Sequence, residues 1–174
     1  MRRGALAGVA AAAAWAAAEP AARRLFGVRY SDVRLLGAAV TSGPHWKAAG
    51  WGLHLLNGAV FGAAFAHLGG HGAVRGVAAA QLENLALWVP GMVVVDRFHP
   101  DRRSGEWPPL LRNRRVFAYE VAVHALFGAV LGALTRPGAE TPRVRLVFLR
   151  DVRVLLRDRR SRVERRGDVR VDER

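Results

Sequence analysis

The sequence predicts an all-α integral membrane protein, a four-helix bundle with pseudo-twofold symmetry that comes from a duplicated two-helix hairpin. Three observations predict this fold. Four long apolar blocks occupy the first 135 residues, charged and aromatic residues bound the blocks, and short sequence matches relate the first pair of blocks to the second pair. A bilayer core is crossed by about 20 mostly apolar residues in a helix, which satisfies every backbone polar group within the segment.

The four apolar blocks are the candidate membrane spans. They run over Gly4–Phe26, Ala48–Leu68, Ala73–Val95 and Val116–Leu134. Arg, Lys, Trp and Tyr residues lie near their ends, where such side chains favour the membrane interface. The first block also fits an alternative, a cleaved signal peptide with Ala16-Ala17-Ala18 as the cleavage site.

The links between the blocks carry turn and loop signals. Ser31-Asp32 is expected to cap a short helix over Val33–Val40. Pro100, Pro108 and Pro109 predict a loop over Asp96–Arg115, near the headgroups, and we expect its first residues to be solvated.

Charge and apolar residues are segregated along the chain. The 174 residues are 51% hydrophobic yet have a net charge of +13, and residues 136–174 contain 13 Arg and 7 acidic residues. This segregation excludes a disordered chain and an ordinary soluble basic domain. The absence of Cys excludes disulfides, thiolate metal sites and Cys nucleophiles.

We expect two regions, a four-span bundle over residues 1–135 and an Arg-rich cytoplasmic tail over residues 136–174. The tail is predicted to begin with an amphipathic helix over Val144–Leu156 that binds anionic lipid headgroups, and to be disordered beyond Arg157. Its sole aromatic residue is Phe148, which disfavours nucleic-acid binding. The basic tail favours cytoplasmic termini, although Arg and Lys in the long links nearly balance this preference.

An internal repeat supports the duplication. Gly4–Ala12 matches Gly72–Ala80 at seven of nine positions, and His54–Ala63 matches His124–Ala133 at seven of ten. The two offsets are 68 and 70 residues, so both matches fit one repeated hairpin, with units at about 4–66 and 72–134. Two spans per unit make the copies parallel, related by an axis along the membrane normal.

Small residues four apart recur in every matched segment. Glycine ridges of this kind let helix backbones approach closely, which supplies packing energy where lipid provides no hydrophobic drive. We therefore assign a helix-packing role to Gly4, Gly8, Gly58, Gly62, Gly72, Gly76, Gly128 and Gly132.

Polar and ionisable residues fall inside the predicted spans. Such residues cost about 2.5–3.5 kcal/mol on insertion scales, so they usually face the bundle interior or a wet cavity. A rise of 1.5 Å per residue places them all in one half of the bundle. His54/Asn57 and Glu120/His124 each share one helix face. We predict one polar cluster with Glu83 at its floor, which consists of Glu19, His54, Asn57, Glu83, Glu120 and His124.

The sequence is compatible with three roles for the predicted cluster. It could relay protons or bind a small polar solute. It could bind a divalent metal, with His54, Glu120 and His124 as candidate ligands, although the Glu-x-x-His pairs of di-iron bundles are absent. It could also only fix helix packing. No cofactor is firmly implied, and no phosphate-loop, zinc-protease or serine-hydrolase motif occurs, so a non-enzymatic role is favoured.

The chain resembles the YagU-type family of small, uncharacterised bacterial inner-membrane proteins with four predicted spans. The resemblance is carried by Gly4-x-x-x-Gly8, Glu19 beside a Pro, His54-x-x-Asn57, Gln81-Leu82 followed by Pro90 and Met92, and Glu120-x-x-x-His124. It covers roughly residues 4–134. It implies a multi-pass location in the bacterial inner membrane and supplies no chemistry. Expected partners are the bilayer lipids and further copies of the chain.

Overall fold

The structure is a computed structural model that describes residues 2–41 and 43–136, and every regular element in these residues is a helix. The elements are α1 (Arg2–Phe26), α2 (Asp32–Val40), α3 (Trp46–His67), α4 (Ala73–Phe98), α5 (Pro100–Arg103) and α6 (Arg114–Leu134). The prediction of an all-helical chain is confirmed for these residues. The tail predicted beyond residue 136 lies outside them.

Three helices are long and apolar enough to cross a membrane: α1, α4 and α6. α3 has 22 residues, which is sufficient length, but it is not apolar enough to join them. Its sequence includes His54 and Asn57 as well as several glycines, which lower its mean hydropathy. The structure thus supports a membrane protein with three candidate spans where the sequence predicted four.

The long helices lie side by side in the order α3, α1, α6, α4. α1 packs against both α3 and α6, α4 packs against α6, and α2 packs across α3. The central pair, α1 and α6, therefore supplies most of the buried core, including Ala11, Trp15, Val123 and Leu131.

Glycines lie at the two outer helix crossings. A Cβ added at Gly58 of α3 would lie 2.7 Å from the carbonyl oxygen of Gly8 in α1. A Cβ added at Gly128 of α6 would overlap the backbone of Gly76 in α4 in the same way. The backbones can touch at these points only because no side chain intervenes, and corresponding glycines make the contact in both pairs.

The first residues of the Asp96–Arg115 segment are folded, with His99 and Asp101 buried, so the prediction that they are solvated is wrong. α4 continues to Phe98, α5 follows, and the side chains of Trp107 and Leu110 are almost completely buried. Asp96 organises the segment, because its carboxylate accepts hydrogen bonds from the backbone amides of Leu110 and Leu111 at 2.8–3.1 Å. We call residues 99–113 the cap.

The cap is attached to α2. The guanidinium of Arg34 donates two hydrogen bonds to the Asp101 carboxylate, at 2.6 and 2.8 Å. His99 stacks on Trp107 with ring centroids 4.6 Å apart, and its Nε2 lies 3.2 Å from the carbonyl oxygen of Leu35. A bidentate Arg–carboxylate pair fixes orientation as well as distance, so the cap holds α2 in one position.

Gly58→Ala is expected to destabilise the protein, because the added methyl would lie 2.6 Å from the Cβ of Ala12 and 2.7 Å from the Gly8 carbonyl oxygen. Overpacking of this kind costs about 1–3 kcal/mol. Thermal unfolding in mild detergent, followed by circular dichroism, measures the loss. Gly52→Ala is the matched control on the same helix, since its added methyl meets nothing within 4 Å. Equal effects of the two substitutions would contradict the close helix crossing.

Candidate functional site

A cavity of about 220 Å³ lies among α1, α2, α3, α4 and α6. Its lining combines ionisable groups with aromatic rings. The polar and ionisable residues in the lining are Asp32, His54, Asn57, Glu83, Asn84, Glu120 and His124. The aromatic residues are Trp15, Tyr30, Phe61, Trp88 and Phe127.

His124 lies between two carboxylates. The helical spacing of α6 places it one turn beyond Glu120, and its Nδ1 lies 2.8 Å from the Glu120 carbonyl oxygen and 3.3 Å from Glu120 Oε2. Its Nε2 lies 3.3 Å from Glu83 Oε2 on α4. Both ring nitrogens therefore face acceptors, so His124 can hold a proton on either side and pass it between the two glutamates.

Trp15 packs against both histidines. Its indole packs edge-to-face against His54 at 5.2 Å and against His124 at 4.5 Å between ring centroids. His54 is buried and its Nε2 lies 3.1 Å from the carbonyl oxygen of Ala12. The imidazole of His54 thus contacts α1, whereas the imidazole of His124 contacts the acidic side chains.

Asp32 is a buried carboxylate, whereas the sequence predicts it only as part of a helix cap. Ser31 does cap α2, since its hydroxyl accepts a hydrogen bond from the Arg34 amide at 3.2 Å. Asp32 itself points into the bundle, where it accepts hydrogen bonds from the hydroxyls of Tyr30 at 2.8 Å and Tyr119 at 3.2 Å. Neither tyrosine was among the predicted site residues.

Three carboxylates share this part of the interior. Burial raises the pKa of Asp32 well above its ordinary range, and the nearby carboxylates of Glu120 and Glu19 raise it further. Glu19 and Glu120 are 7% and 2% exposed, and one carboxylate oxygen of each has no hydrogen-bond partner within the described residues. Burial and the two neighbouring carboxylates therefore favour the protonated form of Asp32.

The remaining predicted members lie towards the edge of the cavity. Glu83 is half-buried, and its side chain is 30% exposed. Asn57 lines the cavity and is exposed. The structure thus places Glu19, His54, Glu120 and His124 in the interior and leaves Glu83 and Asn57 at the opening.

The described residues contain no group of three or more His, Asp or Glu side chains arranged to hold a metal ion. Of the three candidate ligands, Glu120 and His124 contact each other, whereas His54 contacts the carbonyl oxygen of Ala12. The geometry therefore gives the metal-binding alternative no support.

Comparisons with protein-family models, with curated proteins and with solved structures found no match. The resemblance to the YagU-type family accordingly stays a prediction, and the chemistry of the site must be argued from its own residues.

Asp32→Asn is expected to flatten the pH dependence of stability. The pKa of Asp32 is higher in the folded state than in the unfolded state. Asp32 therefore stabilises the fold at pH values below its unfolded-state pKa of about 4, and this stabilisation is lost as the pH rises through its folded-state pKa. The wild type should lose thermal stability between pH 5 and 9. The Asp32→Asn variant should lose less, because its amide cannot ionise.

Unfolding temperatures across this pH range, in mild detergent, measure the effect. Glu106→Gln is the control, because Glu106 is an exposed acid in the cap. Parallel curves for the wild type and Asp32→Asn would show that Asp32 is not the titrating group.

Proposed function

We propose that this chain is a multi-pass protein of the bacterial inner membrane whose buried acidic cluster takes up protons and relays them through the bundle. The observation that carries the proposal is the contact of His124 with Glu120 on one side and Glu83 on the other, at 3.3 Å each. Binding of a small polar solute in the same cavity belongs to this proposal, because the lining would serve both.

The order of the groups supports a relay. Asp32 contacts two tyrosine hydroxyls in the interior, and Glu120 is close enough to influence it electrostatically. Glu120 contacts His124, and His124 contacts the half-exposed Glu83. Protons move readily between such groups, and ionisable residues at membrane depth typically mark proton or ion pathways.

We further propose that α3 crosses the bilayer with α1, α4 and α6, and that the bundle arose by hairpin duplication. The glycine contacts of α1 with α3 are repeated by those of α4 with α6. His54 and His124 occupy corresponding positions, each four residues before its contact glycine. His54 of α3 contacts α1 and Asn57 lines the cavity, which lowers the cost of inserting these two residues.

The partners proposed for this protein are lipids and further copies of itself. The Arg-rich tail would bind anionic headgroups at the cytoplasmic surface, where each basic residue contributes about 1 kcal/mol. This part of the proposal is based on sequence alone, since the tail lies beyond the described residues.

The relay predicts proton flux across a membrane. Wild-type protein in liposomes that contain a pH-sensitive dye should accelerate a proton current driven by a potassium diffusion potential. His124→Gln and Glu83→Gln should each reduce the current about tenfold or more, because either substitution interrupts the chain of titratable groups.

The control for the flux assay is Glu106→Gln, which changes an exposed acid remote from the relay and should leave the current unchanged. Each variant must elute from size exclusion like the wild type. A wild-type current no larger than that of empty liposomes, or full current in a folded His124→Gln protein, would contradict the relay and favour a packing role.

A further inference from the structure

The cavity opens sideways between α3 and α4. Within the described residues α3 packs on α1 and α2, and α4 packs on α5 and α6, but no extended contact joins α3 to α4. Asn57 of α3 and Glu83 of α4 both line the cavity while remaining partly or fully exposed. In a bundle that crosses the bilayer, this opening faces lipid.

A second, more apolar cavity continues from the opening. It encloses about 560 Å³ and lies between the later part of α3 and the first half of α4. Its walls include Ala64, Phe65, Ala79 and Leu82. Phe61 and Glu83 line both cavities, so the acidic chamber and the apolar groove adjoin at these two residues.

The two parts of this space suit the two parts of one molecule. Aromatic faces together with carboxylates bind an ammonium group, through cation–π attraction and charge-assisted hydrogen bonds. Trp15 and Trp88 supply the rings, and Asp32, Glu83 and Glu120 supply the carboxylates. Apart from the side chain of Arg75, the groove beyond Glu83 offers mainly alkyl and aryl surface, which favours a hydrocarbon chain.

We propose that the opening between α3 and α4 admits from the bilayer a single-chain cationic amphiphile, whose amine head enters the acidic chamber and whose tail lies along the groove. This inference rests on the proposed function and names the class of solute that the cavity takes. Charge complementarity favours this occupant, because the chamber is lined by three carboxyl groups and two imidazoles, and the carboxyl groups can give up protons to balance an ammonium group. Binding of the amine would displace protons from the cluster, which couples the solute to the relay.

The test uses the full chain in nanodiscs of phosphatidylcholine, with dodecylamine as the ligand at pH 7. We expect saturable binding above that of empty discs, measured with radiolabelled amine. Dodecanol and dodecanoate, which have the same chain without the positive charge, should not compete. Glu83→Gln should weaken dodecylamine binding about tenfold, as expected for the loss of one charge-assisted contact.

A substitution in the groove distinguishes the contribution of the hydrocarbon tail to binding from that of the amine head. Ala64 is exposed and lines the groove, so Ala64→Trp should obstruct the tail and weaken binding of dodecylamine while leaving binding of methylamine, the head alone, unchanged. Ala133→Trp is the matched control, because Ala133 is exposed on α6 and lines neither cavity.

The outcomes distinguish this inference from the proposed function. Proton flux without saturable dodecylamine binding overturns the inference and leaves the relay standing, whereas absence of both overturns both. Equal displacement by dodecanol would identify an ordinary lipid groove and overturn the inference. Two copies per disc with the opening closed to ligand would identify a second copy of the chain as the occupant, which also overturns it.

Discussion

Enclosing several carboxyl groups within a helical bundle is the constraint on which the rest of this structure depends. Glu19, Asp32 and Glu120 come from three different helices and meet where little water can reach them. Such groups are tolerated only when they hold protons or are paired, because an unpaired buried charge is very costly. His124 pairs with Glu120, and the hydroxyls of Tyr30 and Tyr119 donate hydrogen bonds to Asp32.

The surrounding architecture holds these groups in place. Glycine contacts bring α1 against α3 and α4 against α6, which fixes the helices that carry Glu19, His54, Glu83 and His124. The cap then secures α2 through the Arg34–Asp101 ion pair, and α2 delivers Asp32 to the interior. The same arrangement leaves α3 and α4 apart, so the acidic cluster has one side that is open to a solute.

Much of the site could be predicted from helical spacing alone. The i,i+4 relation of Glu120 and His124 and the depth of Glu83 and His54 depend only on the rise and turn of a helix, and the structure has helices over these segments. Asn57 shows the limit of the argument, because spacing cannot tell which side of α3 remains uncovered.

The sequence could not predict the burial of Asp32, Tyr30 and the cap, for a different reason. They lie in links between the long helices, where no periodicity indicates the direction of a side chain, and their burial depends on contacts between residues far apart in sequence, such as Arg34 with Asp101. The prolines of the cap segment predicted a loop, but proline does not distinguish a solvated loop from a folded one.

The acidic cluster is expected to hold protons in the interior of the bundle. Infrared absorption of the protonated carboxyl C=O stretch, recorded at pH 7 on protein reconstituted in lipid, tests it most directly. A protonated cluster predicts a carboxylic-acid band that is diminished in Asp32→Asn and unchanged in Glu106→Gln. A spectrum that contains only ionised carboxylates at pH 7 would show that the cluster holds no protons.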